Sequence, residues 1–172
     1  MPSLSTTDSV MTRKRMIGVM GPGLSATSRD LENAYALGML IAQAQWGLLT
    51  GGRNVGVMAA ANRGAKEAGG LTVGVLPSAE PRSVSEFVDV VICTDLGNGR
   101  NNINVLSSDV VIACGMGLGT ASEVALALKN GKSVVLLTEM KESHGFFRQL
   151  APHQVLIVHS VQDAIATVQT LI

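Results

Sequence analysis

The sequence predicts an α/β fold, a three-layer sandwich around a mainly parallel sheet of about seven strands. Two observations carry that prediction. Short β-branched or Leu-rich runs alternate with longer helix-period segments along the chain, which is the pattern of βαβ units. Three glycine-rich turns, Gly21-Pro22-Gly23, Gly51-Gly52 and Gly115-Met116-Gly117-Leu118-Gly119, each follow an apolar run and precede a helix-like segment.

Strands are expected at Met16–Met20, Gly47–Thr50, Thr72–Leu76, Val88–Ile92, Asp109–Ala113, Ser133–Leu137 and Val155–Val158. The first helix is placed at Ser28–Gln45. A Ser or Thr serves as its N-cap, Asp30 and Glu32 lie in its first turn, and Leu31, Tyr35, Leu37, Met39 and Leu40 form its apolar stripe. The second helix spans Gly56–Ala68 and stops at Gly69-Gly70. The polar stretch from Gly97 to Asn104 suits either a helix whose first turn faces a cleft or an exposed loop. A helix at Thr120–Lys129 carries Val124, Ala125, Leu126, Ala127 and Leu128 in succession, so it is expected to be covered on more than one side. A last helix spans Val161–Leu171. Pro2–Val10 is Ser- and Thr-rich and reads as a flexible tail, giving a tail over 1–13 and a single domain over 14–172.

The chain has 172 residues, enough for one full core. Charged residues are 15%, against roughly 25% in average usage, and hydrophobic residues are 47%. That excess of apolar surface points to self-association as a homodimer or homotetramer. Thirteen Lys plus Arg balance thirteen Asp plus Glu, and no basic run is long enough to track a nucleic-acid backbone. The apolar stretch after Arg13-Lys14-Arg15 ends too early for a signal peptide, and no run has membrane-spanning length. A cytoplasmic protein with no membrane or nucleic-acid partner is expected. Cys93 and Cys114 end apolar runs without metal-ligand spacing and read as free thiols. His144, His153 and His159 lie near no carboxylate or cysteine pattern, and no metal site is expected.

The glycine turns form an anion-binding pattern. Glycine brings backbone N–H groups close to a ligand, and a helix N-terminus favours negative charge. At the ends of parallel strands the three turns converge on one edge of the sheet, where a small phosphorylated ligand fits. In Thr50-Gly51-Gly52-Arg53-Asn54 the arginine either forks onto a phosphate or is simply solvated. In Gly119-Thr120-Ala121-Ser122-Glu123, Thr120 can cap the helix and offer its hydroxyl to phosphate. Thr-x-x-Glu is also a capping box, so spacing leaves Glu123 open between a structural and a functional role. The sequence holds no Walker lysine, zinc motif or Ser-His-Asp pattern, and NAD is not expected.

At Thr50–Met58, Arg100–Asp109 and Gly117–Glu123 the sequence resembles the Rossmann-like family of the LOG cytokinin-activating phosphoribohydrolases and of proteins often labelled lysine decarboxylases. The resemblance covers Met16 to Ile172. It implies that the family's catalytic arginine and glutamate fall on Arg100 and Glu123. Gly115 and Met116 replace a proline and a glycine of the family motif, and Arg53 replaces a third glycine. With Ile17–Gly23 and Asn102–Ser108, these replacements are similar to the molybdenum cofactor carrier proteins of algae and cyanobacteria. That branch implies a homo-oligomer that binds the molybdopterin-based cofactor, protects it from oxidation and passes it to molybdenum enzymes. The carrier reading has no catalytic residues. It places the cofactor on Gly21, Pro22, Gly23, Gly51, Gly52, Arg53, Asn54, Arg100, Gly115, Met116, Gly117, Leu118, Gly119, Thr120 and Glu123. The alternatives are a nucleoside 5′-monophosphate phosphoribohydrolase using Arg100 and Glu123, and a nucleotide-sensing or purely structural oligomer.

Overall fold

The computed structural model describes residues 13–172, and the expected tail at Pro2–Val10 lies outside them. Seven strands form one sheet: β1 (Met16–Met20), β2 (Gly47–Thr50), β3 (Thr72–Leu76), β4 (Val90–Cys93), β5 (Val110–Cys114), β6 (Val134–Leu137) and β7 (Val155–Ile157). Their order is β4-β3-β2-β1-β5-β6-β7, with every neighbouring pair parallel. The chain builds outward from β1 to β4, then returns to place β5 on the other side of β1. The gap between β1 and β5 is therefore the topological switch point, where such sheets open a crevice beyond their carboxyl ends.

Six helices cover the sheet: α1 (Ser28–Gln43), α2 (Gly56–Glu67), α3 (Arg100–Ser107), α4 (Leu118–Lys129), α5 (Lys141–Leu150) and α6 (Val161–Leu171). The period-2 alternation of the strands sends their side chains into two cores. Ile17, Val19, Leu48, Ile112 and Val135 pack with α1, α2 and α6. Met20, Leu49, Val111, Ala113 and Leu136 pack with α3, α4 and α5. The three layers expected from the sequence are present.

Element ends shift by a few residues, each for a local reason. The Val88 N–H is taken by Ser85 O in a turn, so the ladder of β4 opens with Val90 opposite Val73. The first helix ends at Gln43, where Ala44 is its C-cap and Gln45 turns to φ +62°. The polar stretch after Gly97 is a short 3-10 turn leading into α3. The sequence set no bounds for α5, in which only Ser143 and Phe147 are buried. Two buried positions make too short a stripe to stand out. On α4, Val124 and Ala127 are buried, Leu126 and Leu128 are half-buried, and Ala125 is exposed. The chain alone thus covers that helix on one side only.

Candidate functional site

The three glycine turns leave β2, β1 and β5, which are neighbours in the sheet, and so meet on one carboxyl edge. Val57 N–H donates to Pro22 O at 3.0 Å, which ties the first turn to the start of α2. The second turn is held by a neighbouring loop: Asn54 N–H donates to Ser83 O at 2.8 Å and Ser85 N–H to Gly52 O at 2.9 Å. Inside the turn, Gly52 N–H donates to Thr50 Oγ1 at 3.0 Å, and Gly52 takes φ +73°, a left-handed conformation that favours glycine. A side chain on Gly51 would overlap the Arg100 guanidinium. The absence of a Cβ there is what lets Arg100 lie against the turn.

Arg100 and Glu123 come together beneath this edge. Arg100 Nη1 donates to Val75 O at 2.9 Å, while its buried Nε has no partner. Burial lowers the Arg100 pKa, the Glu123 charge opposes that shift, and the neighbouring charge of Arg53 adds to it. Arg53 itself is exposed. Glu123 is 7% exposed and accepts a hydrogen bond from Asn104 Nδ2 at 2.8 Å. Burial pushes its carboxyl up to about 7, against the opposing effects of Asn104 and Arg100. Asn104, which the sequence reading passed over, is fully buried and keeps an unpartnered Oδ1. Nothing in the sequence marks it, because the burial that obliges an asparagine to find partners is a property of the fold. Cys114 is buried and its thiol is raised to about 12 by desolvation, so it is no nucleophile at neutral pH.

The capping box, one of the two roles that spacing left open for Glu123, is not formed on α4. The helix begins at Leu118 with Gly117 as N-cap and no side-chain cap. Thr120 is therefore the third helical residue, not the cap, and Glu123 is drawn to Asn104 instead of back to the Thr120 N–H. Ala121 N–H to Gly117 O, at 2.8 Å, is the first intrahelical bond, leaving the amides of Leu118, Gly119 and Thr120 outside the helix ladder. Thr120 is 2% exposed and its Oγ1 has no partner. At the same edge α1 is closed by a Thr27–Asp30 capping box and α6 by Ser160. The capped starts are sealed by their own side chains, whereas α4 offers its amides outward.

Of the residues expected from the sequence, Gly21–Gly23, Gly51–Asn54 and Gly115–Gly117 lie on the three turns, Leu118–Thr120 form the first turn of α4, and Arg100 and Glu123 lie on α3 and α4. A cavity of about 1010 Å³ lies elsewhere on the edge, beyond β5, β6 and β7, and among those residues only Met116 lines it. Among the described residues no group of three or more His, Cys, Asp or Glu is placed to hold a metal ion, and no helix is long and apolar enough to cross a membrane.

Comparison with known proteins agrees with this architecture. Residues 14–165 match the model of the SLOG cluster4 family. The structure of the molybdenum cofactor binding protein from Rippkaea orientalis superposes with a TM-score of 0.91 at 60% identity, covering 92% of this chain and 97% of that one. The Moco carrier protein from Chlamydomonas reinhardtii gives 0.87 at 53% identity, covering 92% and 98%. A cytokinin riboside 5′-monophosphate phosphoribohydrolase of Mycobacterium marinum is 26% identical over 156 residues, 78% of this chain and 83% of that relative.

Proposed function

The chain belongs to the SLOG cluster4 family, and from that premise we propose that it is a carrier that binds the molybdenum cofactor, shields it and passes it to molybdenum enzymes. The observation that carries this reading is the uncapped start of α4 with the buried, unpartnered Thr120 Oγ1 beside it, in a chain so similar to molybdenum cofactor binding proteins. A buried hydroxyl without a partner costs stability, on the order of 1–3 kcal/mol. A phosphate oxygen supplies the missing partner.

In this reading the cofactor phosphate sits at the amides of Leu118, Gly119 and Thr120 and on Thr120 Oγ1. The Gly21–Gly23 and Gly51–Asn54 turns wall it, and Arg53 and Arg100 supply positive charge. Glu123, with its pKa near 7, is largely protonated at slightly acid pH and then adds no repulsion to a phosphate dianion. Only ground-state binding is required of these groups. The protein is further proposed to be cytoplasmic and to act as a homodimer or homotetramer, because Leu118 is 95% exposed and α4 is covered on one side. Light scattering should give a multiple of 17.9 kDa.

Arg100 and Glu123 also favour a second reading, a phosphoribohydrolase that splits nucleoside 5′-monophosphates. One experiment separates the two. The natural chain is mixed with molybdenum cofactor, passed through gel filtration and assayed for co-eluting pterin and molybdenum, and in parallel it is incubated with AMP. Retained cofactor with negligible free adenine is expected. Adenine release that disappears in Glu123→Gln, without cofactor retention, would establish the hydrolase instead.

A further inference from the structure

Across Met116 from the glycine turns, the carboxyl ends of β5, β6 and β7 border a cavity of about 1010 Å³, at the upper end of the roughly 300–1,000 Å³ typical of ligand sites. Met116, Leu137, Met140 and Ile157 give it an apolar lining, and Lys141 and Arg148 stand on its α5 side. The two carboxylates that line it are already engaged. Asp30 accepts the Thr27 N–H at 2.9 Å, and Glu139 pairs with Arg29 at 2.6 Å. No carboxylate pairs with Lys141 or Arg148 among the described residues. The α5 helix also starts here without a side-chain cap; Glu142 lies in its first turn but does not line the cavity, which leaves Lys141 and Arg148 as the facing cations on that side.

The cavity adjoins the start of α4. Ser25 lines the cavity, and its Oγ is 3.9 Å from where a Cβ on Gly117 would lie. Met116, the residue before Gly117, lines the cavity as well. A ligand whose phosphate rests on α4 therefore meets, next to Gly117, a chamber that combines apolar surface with polar side chains and has unpaired positive charge at its side.

We propose that this cavity is a second subsite of the same edge, which receives a flat heterocycle bearing an anionic substituent, continuous with the phosphate held at α4. The proposal rests on the carrier reading, in which that portion is the pterin with its dithiolene-bound metal. The ring lies on the methionine and aliphatic surface, and the negative charge of the dithiolene-bound metal that it carries is neutralised by Lys141 and Arg148. No covalent step is involved.

The test uses the full chain in three forms: natural, the double variant Lys141→Glu with Arg148→Glu, and Thr120→Val. Each is titrated with molybdenum cofactor and, separately, with inorganic phosphate followed by NMR. Lys141 and Arg148 are exposed and unpaired, so the double variant should fold, which circular dichroism checks. The expected result is a loss of about 10-fold or more in cofactor affinity for the double variant, with phosphate affinity within about 3-fold of natural. Thr120→Val should weaken both ligands. Cofactor affinity unchanged in the double variant overturns the subsite alone and leaves the carrier reading standing. An equal fall for both ligands also overturns it, because that signals a long-range field and not a contact. A natural chain that binds phosphate but no cofactor sinks the carrier reading and the subsite together.

Discussion

The two halves of the carboxyl edge are built on opposite terms. Over β2, β1 and β5 the chemistry is buried and fixed in place: Glu123 and Asn104 lie out of solvent, and Arg100 is pinned to Val75 O. Over β5, β6 and β7 the charges are exposed and an apolar lining is left open. Burial shifts protonation in the first half, raising Glu123 and lowering Arg100. A buried hydrogen-bonded site is pre-organised, and it recognises a small group such as a phosphate through geometry. An open chamber with flexible cations recognises a larger body through area and charge. The difference teaches that one edge can assign phosphate and ring to different kinds of surface.

Gly117→Val breaks the first half most directly. Gly117 has φ −155°, which valine adopts freely, and an added Cβ would meet Pro22 at an ordinary 3.7 Å. The substitution should therefore leave stability within about 1 kcal/mol while its branches fill the approach to the α4 amides. Cofactor retention should fall about 100-fold, close to 3 kcal/mol. Equilibrium dialysis measures the binding and thermal melting measures the fold. Unchanged affinity would remove the phosphate from this helix start.

Glu123→Gln sharpens the contrast in burial, and its sign follows from linkage. An unfolded glutamate releases its proton near 4.5, whereas folded Glu123 holds it to about 7. Between those values the folded state binds more protons than the unfolded state, so stability falls as pH rises and levels off above about 7. Glutamine removes that dependence and still accepts the hydrogen bond from Asn104. The stability of Glu123→Gln relative to the natural chain should therefore rise from pH 5 to pH 8, by on the order of 3 kcal/mol at most. Denaturant titrations across that range measure the difference, and a flat result would show that the first half does not bury its carboxyl.

The same contrast explains what could be read from the sequence. The strands and glycine turns were legible because each is a contiguous run whose period or composition has one structural meaning. The start of α4 was misread because Thr120 and Glu123 satisfy the spacing of a capping box. Spacing does not tell that the helix begins two residues earlier, or that Asn104 from α3 competes for the carboxylate. The cavity was not legible at all. Ser25, Met116, Met140 and Arg148 come from separate loops and helices and form no motif, so only the folded edge assembles them.

The smallest effect separates a hydroxyl that serves the fold from one that serves a ligand. Thr27 Oγ1 accepts the Asp30 N–H at 3.1 Å and closes α1, so Thr27→Ala should cost about 1 kcal/mol of stability with little change in phosphate affinity at α4. Thr120 Oγ1 is buried with no partner in the protein. Thr120→Val keeps its shape and removes an unsatisfied polar group, so stability should hold or rise by up to about 1 kcal/mol. Affinity for inorganic phosphate should fall about 3- to 10-fold, because the hydrogen bond to the anion is lost. One variant thus loses stability without binding, and the other loses binding without stability. If Thr120→Val destabilises the chain as Thr27→Ala does and leaves phosphate binding intact, the Thr120 hydroxyl belongs to the fold, and the α4 station loses its one side-chain donor.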